Sequence, residues 1–72
     1  MEDSTLQNWF TYHPPVGNQG DRYSSIRNAG LEFARFINEV TPASPEQTLA
    51  IRDVQRAVMM ANAAIALNEK ES

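Results

Sequence analysis

The chain has 72 residues and a formal net charge of −3. This length allows one domain with a small core. A chain of this size usually needs disulfide bonds, a structural metal or a partner subunit for stability. The absence of cysteine excludes a disulfide framework, the single histidine argues against a metal site, and the acidic balance argues against binding to duplex nucleic acid.

Membrane and export signals are also missing from the sequence. No stretch has the charged-then-apolar pattern of a leader or the long apolar run of a membrane span. We therefore expect a cytoplasmic protein with no membrane partner. A small anionic ligand is compatible with the acidic charge, because it needs only a few well-placed arginines.

The first twenty residues are predicted to form an extended segment rich in aromatic side chains. Trp9, Phe10, Tyr12 and His13 stand together just before two prolines. A proline holds its own backbone, and that of the residue before it, close to extended geometry. Rings with a polar handle can stack on a flat ligand or fill a subunit contact. The alternative is a hydrophobic plug that covers the end of the helix pair, and the sequence favours neither the plug nor ligand contact.

A first long helix is predicted over about residues 21–41. Its apolar residues recur three and four apart, which marks one face of a helix. Asp21 suits the positive end of the helix dipole, and Gly30 suggests the close approach of another backbone or a ligand. The predicted apolar face consists of Tyr23, Ile26, Gly30, Phe33, Ile37 and Val40.

A second long helix is predicted over about residues 44–68, and residues 69–72 are expected to fray. Ser44 is a suitable N-cap, Pro45 fits the first helical position, and Gln47 completes the pattern of a capping box. The apolar face consists of Ile51, Val54, Val58, Ala61 and Ile65. Because only a few residues separate the two helices, they should pack as an antiparallel hairpin.

The predicted fold is therefore all-α, a single domain over residues 1–72. It is a helical hairpin with an extended aromatic N-terminal segment. Both helices also carry apolar residues outside the main face, and a helix that is apolar around much of its girth is buried on several sides. Homo-oligomerisation is expected on this ground. The additional apolar residues are Leu31, Phe36, Leu49, Met59, Met60 and Leu67.

Catalytic patterns are absent from the sequence. No nucleophile stands in a recognisable motif with His13, and no glycine-rich phosphate loop follows a strand. We therefore expect a protein that is not an enzyme, with no catalytic residue, no metal and no cofactor.

One arginine stands out as a candidate for ligand binding. Arg27 has no acidic residue three or four positions away on its helix, and its neighbours there include Tyr23 and Gly30. An unpaired guanidinium close to aromatic rings is suited to phosphate oxygens beside stacked bases. The alternative is an exposed arginine, or one paired across the hairpin.

Three stretches of the chain together resemble a known family. They are Phe10-Thr11-Tyr12-His13-Pro14-Pro15, then Arg22-Tyr23 with Ile26-Arg27 and Ala29-Gly30, then Ala57-Val58-Met59 with Ala61-Asn62-Ala63 and Ile65-Ala66. Over about residues 9–68 the chain resembles the small phage sponge proteins, which inhibit CBASS immunity by binding and sequestering cyclic oligonucleotides. Those proteins share a helical-hairpin domain with a Thoeris-countering sponge.

The resemblance implies a homo-hexamer that captures cyclic dinucleotides such as cyclic GMP-AMP without cleaving them. It implies a pocket between protomers that uses Tyr12 and Arg27. His13, Phe10, Trp9 and Tyr23 are the further candidates for ligand contact. A plain helical-hairpin oligomerisation module without a nucleotide ligand is the alternative.

Some members of the family also hold cyclic trinucleotides at a separate site. The resemblance assigns that site to a basic residue near the end of the second long helix. Here the corresponding stretch reads Ile65-Ala66-Leu67-Asn68, without a positive charge. Cyclic trinucleotides therefore stand as a second ligand class that the sequence leaves open.

Overall fold

The structure of the protein, a computed structural model, describes residues 1–69 and folds them into three helices. These are α1 (Asp3–Phe10), α2 (Gln19–Val40) and α3 (Pro45–Asn68), with no strand among the described residues. The all-helical prediction is confirmed. The expected fraying of residues 70–72 lies outside the described part of the chain.

The two long helices form an antiparallel hairpin. The first turn of α2 meets the end of α3 through Arg22 and Glu69, whereas the end of α2 meets the start of α3 through Thr41 and Gln47. Contacts at both ends of the pair require opposite chain directions. Glu69, which was predicted to fray, is instead held by its ion pair with Arg22.

The turn between α2 and α3 is closed by side-chain hydrogen bonds. Ser44 Oγ accepts from the backbone N–H of Gln47 at 3.1 Å, so Ser44 is the predicted N-cap of α3. The Gln47 side chain donates to the Thr41 carbonyl at 3.0 Å and to the Asn38 carbonyl at 3.3 Å. Gln47 thus satisfies carbonyl groups at the end of α2, where a capping box would have turned it back to Ser44.

Close packing of the helices depends on Gly30. A Cβ atom placed there would lie 2.3 Å from Cγ2 of Val58 on α3, well inside van der Waals contact. The close approach predicted at this glycine is therefore made by a side chain of the partner helix. Val54 and Val58 pack over this position from α3.

Hydrophobic burial within the single chain is small. No apolar residue among residues 1–69 is fully buried, and Gln19 is the one buried residue of that range. Phe33 and Val40, which were predicted on the inner face of α2, are more than half exposed. The molecule is a flat layer of 45 × 29 × 13 Å.

The prediction of an extended segment over residues 1–20 is wrong for Asp3–Phe10. Those residues form α1, with Asp3 favourably placed in its first turn. The backbone becomes extended at Thr11, and residues 12–16 carry no helix. Pro14 and Pro15 explain why the helix ends before them and why a connection to α2 follows.

Candidate functional site

A groove of about 320 Å³ lies where the segment after α1 crosses both long helices. Tyr12 and His13 come from that segment, Tyr23 and Arg27 from α2, and Asn62 from α3. Pro15, Ala63 and Ala66 complete the walls. Four of the six residues predicted to contact a ligand therefore line one groove.

The position of the aromatic segment is fixed by two hydrogen bonds. His13 donates from Nε2 to the carbonyl oxygen of Asn8 at 2.8 Å, and Asn8 donates from Nδ2 to the carbonyl oxygen of Leu67 at 3.0 Å. The first bond stabilises the chain after α1, and the second ties α1 to the end of α3. Tyr12 consequently lines the groove while the residue stays 80% exposed.

Arg27 is the cation of the groove. Its Nη2 donates to Ser24 Oγ at 3.3 Å, a weak contact with a neutral hydroxyl. Within the described residues no carboxylate lies in ion-pair distance of this guanidinium. An exposed arginine without an acidic partner retains its hydrogen-bond donors for an anion.

Two polar atoms at this groove are buried without a partner. They are the hydroxyl oxygen of Tyr23 and Oδ1 of Asn62, and neither has a hydrogen bond to any described residue. A buried polar group without a partner costs about 1–3 kcal/mol. Such atoms lower the stability of the single chain unless something else bonds to them.

Trp9 and Phe10 are not brought into the groove. They belong to the last turn of α1, are 52% and 85% exposed, and do not line this cavity. Both rings therefore leave apolar surface exposed beside the groove-forming segment.

A second, more polar cavity of about 420 Å³ adjoins the groove. Its walls include Gln19, Glu69, Asn8 and His13. Arg22 binds both carboxylate oxygens of Glu69, with Nη1 2.7 Å from Oε2, and Gln19 donates to Oε1 at 3.2 Å. These hydrogen bonds lower the pKa of Glu69 from about 4.5 to about 2. Arg22 is thus paired with an acidic residue across the hairpin.

The described residues show no group of three or more histidine, cysteine or acidic side chains that could hold a metal ion. None of the three helices is both long and apolar enough to span a bilayer. The groove is lined by one guanidinium, two tyrosines, His13 and Asn62. That set can bind a flat anionic molecule, and it contains no arranged nucleophile and base.

Sequence patterns missed the contribution of α3 to the groove. Asn62 lies four residues after Val58 and three before Ile65, so it interrupts the apolar face of the helix. A polar residue inside an apolar stripe was the available signal. Ala63 and Ala66 carried no signal, because small residues are common on any helix face.

Comparison with known proteins identifies a family. The family model described as Acb2/Tad1, hairpin domain, matches residues 2–66 of the chain. No curated protein and no solved structure matches the chain.

Proposed function

We propose a function from the premise that the chain belongs to the Acb2/Tad1 hairpin-domain family, whose members are anti-defence sponges rather than enzymes. In this proposal the chain binds cyclic dinucleotide immune signals such as cyclic GMP-AMP in the groove that Tyr12, His13, Tyr23 and Arg27 line. Bound signal is withheld from the CBASS effector, which therefore stays inactive.

The observation that carries the proposal is the meeting of Arg27 with two tyrosines at one cavity. The planar guanidinium matches two phosphate oxygens, and a tyrosine ring can stack on a base. Capture needs no chemistry, which agrees with a groove that holds no nucleophile. A protein with net charge −3 can bind a dianion in this way because the positive charge is local.

The site is proposed to be shared between two copies of the chain. A groove of about 320 Å³ lies at the small end of the usual range for ligand pockets, which is about 300–1,000 Å³. At a twofold interface each residue occurs twice, so Tyr12 and Arg27 supply two rings and two cations. That arrangement matches a ligand with two bases and two phosphates. We place the exposed rings of Trp9 and Phe10 at this subunit contact, within a homo-hexamer.

Calorimetric titration with a panel of cyclic dinucleotides and trinucleotides tests the proposal. Tyr12→Ala and Arg27→Ala should each weaken dinucleotide binding about 10- to 100-fold, the loss expected for one stacked base or one charged hydrogen bond. Arg52→Ala is the matched control, because Arg52 is exposed on α3 and lies outside the groove. It should leave the affinity unchanged.

Three results would contradict the sponge function. They are the absence of heat with every nucleotide, loss of the assembled state in Tyr12→Ala and Arg27→Ala by light scattering, and recovery of cleaved nucleotide from the denatured complex.

Cyclic trinucleotides should bind more weakly than dinucleotides, because the last turn of α3 has no basic residue.

A plain oligomerisation module is the second candidate, and the small buried core supports it. Apolar side chains are exposed along both long helices, and the hairpin alone covers few of them. The module would assemble normally and bind none of the nucleotides. The same titration together with the measured mass therefore separates the two functions.

A further inference from the structure

Tyr23 and Asn62 line the ligand groove, and each carries a buried polar atom without a hydrogen bond to any described residue. Tyr23 comes from α2 and Asn62 from α3, and both line the cavity with Tyr12 and Arg27. The Tyr23 hydroxyl and Asn62 Oδ1 are shielded from solvent and have no partner among the described residues.

Packing alone does not account for these two polar groups. Asparagine is a poorer helix former than alanine or leucine, and burying its amide oxygen without a partner adds a further cost. Asn62 nevertheless occupies the apolar face between Val58 and Ile65. Residues that lower stability at a cavity are typical of positions kept for binding.

The chemistry of the two atoms is complementary. The amide oxygen of Asn62 accepts hydrogen bonds only, so its match is an N–H group. The hydroxyl of Tyr23 can donate, so its match is a ring nitrogen or a ribose oxygen. A purine base with an exocyclic amine offers an N–H donor beside ring acceptors, and asparagine pairs with such edges in nucleic-acid complexes.

We propose that Asn62 reads the exocyclic amine of a purine base in the bound cyclic dinucleotide, while Tyr23 donates to an acceptor that all purine ligands share. This inference rests on the proposed nucleotide capture and adds base selectivity to it. Both atoms are covered in the free chain, so the inference requires side chains of the groove to rearrange when a base enters.

The test uses ligand pairs that differ by one amino group. Cyclic di-GMP is compared with cyclic di-IMP, which lacks the 2-amino group, and cyclic di-AMP with its analogue that carries unsubstituted purine. The wild-type protein should bind the amino-bearing member of at least one pair about tenfold more tightly, the effect of one unmade hydrogen bond at a buried partner. Asn62→Ala should remove that preference.

Tyr23→Phe provides a second variant that alters a single oxygen atom. It should weaken both members of a pair by about the same factor, roughly fivefold, without changing the preference. The thermal midpoint of the ligand-free variants should stay equal or rise, since each loses an unpartnered polar group. Asn28→Ala on the exposed face of α2 is the matched control and should change neither affinity nor preference.

Each outcome bears on a different claim. Tight binding with equal affinity for both members of each pair, or an unchanged preference in Asn62→Ala, overturns the base-reading role and leaves nucleotide capture standing. A fall in assembly mass in Asn62→Ala with no change in affinity would assign the residue to a subunit contact and also overturn the inference. If the wild-type protein binds no nucleotide, capture and base reading fail together.

Discussion

At the scale of single residues, a few polar side chains close the open end of the hairpin. Gln19 is 6% exposed, accepts from the backbone N–H of Val16 at 3.1 Å and donates to Glu69. Arg22 binds the same carboxylate and is itself positioned by Asn18 Oδ1 at 3.1 Å. These contacts place the start of α2 against the end of α3, and so fix one side of the groove. Sequence spacing could not reveal the two contacts with Glu69, because Arg22 and Gln19 are 47 and 50 positions away from it.

The low pKa of Glu69 makes part of the stability dependent on pH. The pKa is about 2 in the folded chain, against about 4.5 ordinarily, chiefly because of the hydrogen bond from Arg22. A depressed carboxylate pKa stabilises the fold above pH 4.5, and this contribution disappears as the pH falls towards 2. Wild-type protein should therefore unfold at a higher temperature than Glu69→Gln at pH 7, by a small margin for an exposed pair.

Thermal melts across this acid range provide the measurement. The difference between wild type and Glu69→Gln should shrink from pH 4.5 downwards and vanish below about pH 2. Glu39→Gln is the control, because Glu39 makes no ion pair within the described residues. A difference that stays constant from pH 7 to pH 2 would show that the ion pair does not stabilise the fold.

At the scale of helices, the two long elements follow from local sequence and the short one does not. The three-and-four spacing together with the Ser44 and Pro45 signals locates both ends of α2 and α3 within two residues. In α1, Leu6, Trp9 and Phe10 also have helical spacing, but their aromatic neighbours and the prolines favoured an extended interpretation. Eight residues carry too little periodicity to decide between the two.

The residues that line the groove could likewise be predicted only in part from the sequence. Tyr12, His13, Tyr23 and Arg27 could be selected from residue type and resemblance. Asn62 could not, since its role depends on which residues of α2 and α3 face each other. That pairing is set by Gly30, whose missing side chain lets Val58 approach.

Replacement of Gly30 by alanine should therefore destabilise the hairpin. Alanine in a helix gains about 1 kcal/mol over glycine, but overpacking a core costs about 1–3 kcal/mol. Val58 is branched at Cβ and cannot turn its Cγ2 away easily, so we expect a net loss of about 1–2 kcal/mol in the free energy of unfolding. Chemical denaturation measures it.

A double-mutant cycle attributes the loss to one contact. Val58→Ala removes the obstructing methyl group, so Gly30→Ala introduced into that background should be neutral or stabilising. Equal losses in both backgrounds would show that the strain lies elsewhere, for example in a subunit contact.

At the scale of the whole molecule, the isolated chain has a larger accessible surface than a compact monomer of the same mass. Its accessible surface is 5795 Å², while a compact monomer of 8.1 kDa is expected to expose about 4,500 Å². Two apolar grooves flank the seam between α2 and α3, one of about 630 Å³ and one of about 390 Å³. The hairpin is thus a single layer with apolar surface exposed in both grooves. Oligomerisation into the proposed hexamer would cover this surface with other subunits.

Stability should consequently depend on protein concentration. If folding and assembly are coupled, dilution dissociates the subunits and lowers the unfolding temperature, whereas a stable monomer melts at the same temperature at every concentration. Light scattering should give a mass several times 8.1 kDa, and six times this mass for the hexamer. A monomeric mass with a constant melting temperature would rule out both the assembly and a binding site shared between copies.

Phe33 tests whether the larger groove is the face that assembles. It is 55% exposed and lines that groove, whereas Phe36 is 57% exposed and lines neither groove. A buried carboxylate without a partner costs several kcal/mol, so Phe33→Glu should dissociate the assembly to smaller species. Phe36→Glu, matched in residue type, helix and exposure, should shift the mass less. If Phe36→Glu lowered the mass more than Phe33→Glu, the subunit contact would lie on the Phe36 side of α2 and the larger groove would be open to solvent.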